Sequence, residues 1–197
     1  KKYYKIVEDL YSTEEKKAKG KAIVAGIFNT IKSLTSAEFN EVVENTIVAQ
    51  GELLSTAMFT ELMLENGYKT LYLPALDFMK IDLDKAADLY FIRENITEVL
   101  KAAEPADYYI TQGFICRNAD GNIDNLQRGG SDYTATLIGA AIDAEEVEIW
   151  TDIDGFHNND PRYVDNTQKI DQLSFDEAAE LAYFGAKILH PQTVLPA

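Results

Sequence analysis

A chain of 197 residues that is 46% hydrophobic and 26% charged has room for one domain with a sizeable core. Its net charge of -15 argues against nucleic acid or an anionic membrane as a partner, because phosphates would be repelled. The single cysteine, Cys116, excludes an internal disulfide framework and a multi-cysteine zinc site, and fits a reducing cytoplasm. No apolar run approaches the ~20 residues of a membrane span, and Lys1 to Tyr11 has no signal-peptide core. The chain does not begin with Met and reads as a piece of something longer.

In chain order, residues 3–34 read as helix, interrupted near Gly20 and Gly26. Thr35 with Glu38 reads as a capping box opening a helix that carries Val42, Ile47 and Val48 and extends toward the next segment. From Gly51, Leu54, Met58 and Leu62 recur four apart, an amphipathic helix that stops at Asn66-Gly67. Thr70 to Leu73 reads as a strand, Asp88 to Ile92 as another, and Asn95 to Ala103 as a helix. Tyr108 to Gln112 is strand-like, and 117–130 is a hairpin or loop rich in Asn, Asp, Gly and Arg. Ser131 to Ala144 is a helix, Val147 to Thr151 a strand, and 152–168 a polar loop. Ser174 to Phe184 is a helix with Ser174 as N-cap and Glu177 completing a capping box. Short apolar strands alternating with helices imply α/β architecture with a mainly parallel sheet covered on both faces.

Five segments could carry chemistry. Arg128-Gly129-Gly130-Ser131-Asp132 precedes a helix, and its glycines, free N–H groups and guanidinium suit an anion. Asp132 belongs there only beside a cation; a plain Gly-Gly turn with N-cap residues is the competing reading. Thr151-Asp152-Ile153-Asp154-Gly155 follows a strand, where open α/β sheets place ligands, or is a polar turn. Asp160-Pro161-Arg162 is weak when taken alone. Lys187, in Gly185-Ala186-Lys187-Ile188-Leu189-His190-Pro191, either reaches a phosphate or snorkels to solvent. Neither His157 nor His190 has a companion at metal-ligand spacing, so no protein metal site is expected. Glu52 sits at the start of an apolar helix, where it either complements the dipole or accepts a substrate ammonium group.

Together these segments resemble the aspartate kinases, a branch of the amino-acid-kinase family, in order and spacing. The resemblance runs from about Tyr11 to Ala197 and is most specific from Arg128 to Pro191. It implies a three-layer αβα sandwich with a mainly parallel central sheet. The implied reaction is ATP-dependent phosphorylation of the β-carboxylate of L-aspartate to 4-phospho-L-aspartate, which leads to lysine, threonine and methionine. The implied partners are L-aspartate and MgATP, with ATP and Mg²⁺ both required and a homo-oligomer in the intact protein. In this pattern Glu52 meets the substrate ammonium, and Arg128 with the Gly129, Gly130 and Ser131 backbone holds its carboxylates. Asp132 and Lys187 are the catalytic pair, with Asp132 organising lysines around the transferring group. Thr151, Asp152 and His157 face the nucleoside, while Arg162, Lys187 and Ile188 approach the phosphates.

The chain departs from the family pattern in three ways. The first strand and its lysine- and glycine-rich phosphate loop are absent, so residues 1–197 read as a partial catalytic domain. His157 stands where the family usually has Tyr, and the end of the kinase domain and the ACT regulatory domains that the pattern leads one to expect are not within residues 1–197. A nucleotide-binding fragment without activity, or another amino-acid-kinase member, is the alternative. A dinucleotide-dependent oxidoreductase is disfavoured, because no G-x-G-x-x-G follows a first strand.

Overall fold

The computed structural model describes residues 1–151, 154–159, 163–184, 193 and 196. Three helices come first: α1 (Lys2–Leu10), α2 (Glu14–Leu34) and α3 (Glu41–Glu65). The break between α1 and α2 falls at Tyr11–Thr13, and neither Gly20 nor Gly26 interrupts α2. Thr13 caps α2 by accepting from the Lys16 amide at 3.3 Å. Gly20 is needed for close approach: a Cβ there would lie 2.5 Å from Tyr11 Cε2. Tyr11 lies in that space, donates to the Met58 carbonyl at 2.7 Å, and is pushed up to about 12 by burial and the nearby Glu61 and Glu65. Val7, Tyr11, Val24, Leu54 and Met58 form the core between these helices.

The expected capping box at Thr35 and Glu38 is not formed. Thr35 closes α2, and Asn40 opens α3 by accepting from the Val43 amide at 3.0 Å. Asn40 thus places its carbonyl oxygen one turn closer to the apolar run than the Thr-x-x-Glu pattern suggested. The whole stretch to Glu65 is then one helix, ending at Asn66 and at Gly67, whose φ is 82°. Glu52 consequently lies in the middle of α3 and not at its start, so the helix-dipole account of this acid does not apply.

Beyond α3 the chain makes a parallel β-α-β unit. Strand β1 (Thr70–Tyr72) pairs with β2 (Tyr108–Ile110) in the register Thr70↔Tyr108, Leu71↔Tyr109, Tyr72↔Ile110, and α4 (Leu89–Ala102) lies in the crossover. Asp88 to Ile92 is not a strand: Asp88 Oδ1 accepts from the Phe91 amide at 3.0 Å and starts α4 earlier than periodicity indicated. A hairpin follows, β3 (Ile115–Arg117) against β4 (Ile123–Asn125), closed by Asn118 accepting from the amides of Asp120 and Asn122. Helix α5 (Gly130–Ala141) and helix α6 (Phe175–Phe184) complete the described elements. The Ser174–Glu177 capping box forms reciprocally, at 2.8 Å and 3.2 Å.

The larger core lies among β1, β3, α4 and α5. Phe78, Ile81, Ile92, Ile96, Ile115 and Leu137 are all at most 2% exposed, each worth about 1.5–3 kcal/mol of transfer free energy. Cys116 is in this core, and burial, reinforced by Asp124, pushes its thiol up to about 12.

Val147 to Trp150 forms no ladder with any described strand, and Trp150 stays 88% exposed. Its apolar alternation shows what the segment can pair as, but a strand also needs a neighbour for its backbone groups. Among the described residues no helix is long and apolar enough to cross a membrane.

Candidate functional site

The arrangement begins with a buried glutamine. Gln112 follows β2 and is 0% exposed. Its Oε1 accepts from the Ala75 amide at 2.9 Å, and its Nε2 donates to Thr56 Oγ1 and to the Tyr72 hydroxyl, each at 2.7 Å. Thr56 in turn donates to the Glu52 carbonyl at 2.7 Å. The turn of α3 bearing Glu52 is thereby tied to the end of β2. The Glu52 carboxylate is half-buried and has no hydrogen bond or ion pair with a described residue.

On the other side, Gly113 lies against α5. A Cβ on Gly113 would fall 2.9 Å from both Cα and Cβ of Ser131, and one on Gly130 would fall 2.8 Å from Phe114 Cδ2. Glycine is required at both positions by this close approach. The Phe114 amide donates to Thr134 Oγ1 at 3.0 Å, locking the loop onto the start of the second turn of α5. Phe114, Gln127 and Gly129 have φ of 70°, 60° and 74°. Two non-glycine residues in the left-handed region hold strain next to a helix N-terminus, where the surrounding packing maintains it.

Helix α5 starts at Gly130 with left-handed Gly129 as N-cap and no side-chain cap bond. Ser131 was expected to begin the helix; instead its amide and that of Asp132 have no acceptor among the described residues. Two unmet amide donors at the positive end of a helix dipole suit an anion. Arg128 is exposed beside them and forms no ion pair with a described residue. Asp132 is half-buried, and desolvation raises its carboxyl above the ordinary value; no described cation pairs with it. Glu52, Gln112, Gly113, Ser131 and Asp132 therefore belong to one contact chain around the carboxyl ends of β1 and β2, the position α/β sheets use for ligands.

Thr151 is exposed and follows a segment without regular secondary structure. His157 makes two contacts within its own loop, Nδ1 with Thr167 Oγ1 at 2.9 Å and Nε2 with Asp154 Oδ1 at 2.8 Å. Both nitrogens are engaged within the loop, and the side chain is only 13% exposed. Asp152, Arg162, Lys187, Ile188 and His190 lie outside the described residues. No group of three or more His, Cys, Asp or Glu that could hold a metal occurs among the described residues. A cleft of about 800 Å³ between α4, α5 and α6 is lined by none of the expected substrate residues; Val147 and Ile149 of the unpaired segment form part of its wall. The unmet donors at α5 are a more direct sign of a ligand than that apolar space.

Sequence reasoning missed Thr56, Gln112, Phe114 and Gln127. A polar residue directly before Gly113 at the end of an apolar strand was the available signal for Gln112. The left-handed conformations of Phe114 and Gln127 leave no trace in residue type.

A model of the amino acid kinase family matches residues 4–197. The chain belongs to the amino acid kinase family. Its relatives include lysine-sensitive aspartokinase 3 of Escherichia coli (strain K12), 40% identical over 154 residues, 77% of this chain and 34% of the relative. Aspartokinase 1, chloroplastic, of Arabidopsis thaliana is 37% identical over 158 residues, 77% of this chain and 28% of the relative. The crystal structure of E. coli aspartokinase III in complex with aspartate and ADP (R-state) superposes with a TM-score of 0.83 at 32% identity, covering 97% of this chain and 43% of that chain. The resemblance read from the motifs and the α/β fold class are both borne out by this amino acid kinase. The chain spans about a third of the length of these curated relatives.

Proposed function

We propose that this amino acid kinase contributes the acceptor side of an aspartate kinase. The reaction is transfer of the γ-phosphoryl group of ATP to the β-carboxylate of L-aspartate, the first step toward lysine, threonine and methionine. The observation that carries the reading is the unmet Ser131 and Asp132 amide pair beside unpaired Arg128, linked through Gln112 to unpartnered Glu52. Anion donors and an ammonium acceptor held together fit an amino acid bearing a second carboxylate. The similar E. coli structure is described as a complex with aspartate and ADP, which supports the same reading.

In this reading Arg128 and the Gly129–Ser131 backbone hold substrate carboxylate, and Glu52 accepts the ammonium group. One β-carboxylate oxygen then forms a bond to the γ-phosphorus as the bond to the β–γ bridging oxygen breaks and ADP departs. No covalent enzyme intermediate is needed, because phosphoryl transfer is served by positioning and charge stabilisation. Thr151, Asp152 and His157 are assigned to the nucleoside, and Arg162, Lys187 and the Ile188 backbone to its phosphates. Asp132 keeps Lys187 oriented, which gives an acid in an anion site a purpose. Mg²⁺ would supply charge neutralisation between phosphate oxygens, and phosphates with water would provide most of its ligands. The buried Cys116 thiol suits a reducing compartment such as the cytoplasm.

The test is an aspartate-dependent ATP turnover assay on the full-length protein, with hydroxylamine present to trap the acyl phosphate. Hydroxamate forming only when L-aspartate and MgATP are both supplied is the expected result. ATP consumption without hydroxamate would remove aspartate as the acceptor.

A further inference from the structure

Gln112 uses its whole amide on neighbours in the protein, with both Nε2 hydrogens and the Oε1 engaged. A core amide that only joined β1 to the turn at Ala75 would need no third partner. The third partner, Thr56, hands the connection on to the Glu52 carbonyl at 2.7 Å. The residue after Gln112 is Gly113, packed on Ser131 with no room for a Cβ. One side chain thus stands between the acid assigned to the substrate ammonium and the amides assigned to its carboxylate. The separation of those two features must match the length of the amino acid between them.

We infer that Gln112 is a positioning residue which, through Thr56, sets the span between Glu52 and the α5 N-terminus and so favours aspartate over its one-methylene-longer homologue. The inference rests on the aspartate reading above. Gln112 touches no substrate in this account; it acts through Thr56 and Gly113. Loosening it relaxes the span, and that affects the amino acid while leaving the nucleotide side in place.

Calorimetric titration of the full-length protein with L-aspartate, L-glutamate and MgADP tests this, using Gln112→Met, Thr56→Val and Thr56→Ser. Gln112→Met is expected to weaken L-aspartate roughly tenfold and MgADP by less than about twofold, since a tenfold change corresponds to one lost net contact of ordinary strength. The preference for L-aspartate over L-glutamate should narrow in the same variant. Thr56→Val, which keeps the side-chain shape, should weaken L-aspartate about threefold, within the range of a neutral hydrogen bond, and Thr56→Ser should restore it. Should Gln112→Met fail to fold, Thr56→Val decides. Unchanged L-aspartate binding in folded Thr56→Val, or equal weakening of L-aspartate and MgADP, overturns the inference. Wild-type protein that binds no L-aspartate would instead overturn the proposed function. Binding that depends on Glu52 but is indifferent to Thr56 and Gln112 would sink only the positioning role.

Discussion

Two glutamates on α3 have opposite surroundings. Glu61 is 7% exposed and paired with Lys16 at 2.7 Å and Lys19 at 2.6 Å. Burial works against its charge, but the two lysines outweigh it and hold the carboxyl below its ordinary value. Glu65, one turn on, accepts from the amides of Ser12 and Thr13 and is lowered for that reason. Glu52, about two and a half turns before Glu61, has no such partner among the described residues. The same contrast separates the molecule's two halves. Where α3 packs on α1 and α2, Glu61 and Glu65 are answered within the protein, whereas the α5 end with the facing turn of α3 leaves two amides, the Arg128 guanidinium, Asp132 and Glu52 without partners among the described residues. Satisfied polar groups mark scaffold, and unsatisfied ones mark a place for a ligand.

Substitutions can break this contrast from either side. The largest effect is expected from Asp132→Asn, which should lower kcat by about 10²–10³, the scale seen when a preorganised charge is lost from an active site. Its stability should move the other way. Burial raises the Asp132 carboxyl, so the folded state prefers it protonated and carries a cost once it is ionised. Asp132→Asn should therefore melt above wild type at neutral pH, with the difference closing as pH falls toward the ordinary value of 3.8. A lower kcat with lower melting temperature would make Asp132 structural.

Arg128→Ala should raise the KM for aspartate by an amount worth roughly 1.5–3 kcal/mol, the range for a charge-assisted bond, with little change for ATP. Steady-state kinetics with each substrate varied would show this, and equal changes would remove the assignment. Gly20→Ala belongs to the scaffold side. A methyl group directed at the Tyr11 ring should cost about 1–3 kcal/mol of stability through overpacking, and leave both KM values alone. The smallest effect is expected from Glu61→Gln. Because the folded carboxyl is lowered, its stabilisation is present above the ordinary value of 4.5 and lost as pH falls through the folded pKa. The variant should be less stable than wild type at neutral pH and indistinguishable from it in strong acid. A penalty that persists in acid would place the contribution in packing.

Part of the fold is legible in the amino-acid sequence alone. Ser174 with Glu177 announces a helix start, and it holds in three dimensions; Gly130 does sit in a close approach, but to Phe114 of its own chain. Helix boundaries were misjudged where a cap competes with periodicity: Asn40 displaced the Thr35 start, and Asp88 turned an apolar strand pattern into the first turn of α4. Local propensity could not reveal these outcomes because they depend on one side-chain oxygen meeting one amide. Val147 to Trp150 shows the opposite error, since a strand is a property of two segments. Arg128 to Asp132 stood out in the sequence as two glycines directly before an apolar-periodic helix, and α5 does begin there, at Gly130. Gln112 and Thr56 did not stand out, being 56 residues apart in sequence and joined only by folding.

The parallel pairing of Thr70 with Tyr108 bears on the order in which the chain folds. The backbone hydrogen bonds inside each of α1, α2 and α3 close over four residues, whereas β2 meets β1 only after the α4 crossover has closed a long loop. Closure entropy must be met before that pairing is rewarded, so helices of local contact form first. The Gln112 bridge, reaching back to both Thr56 and Tyr72, comes later still. In pulse-labelled hydrogen exchange during refolding, amides of α2 and α3 should gain protection ahead of those in β2. The candidate site would then be among the last regions of the molecule to take shape, and among the first to be lost when its stability is reduced.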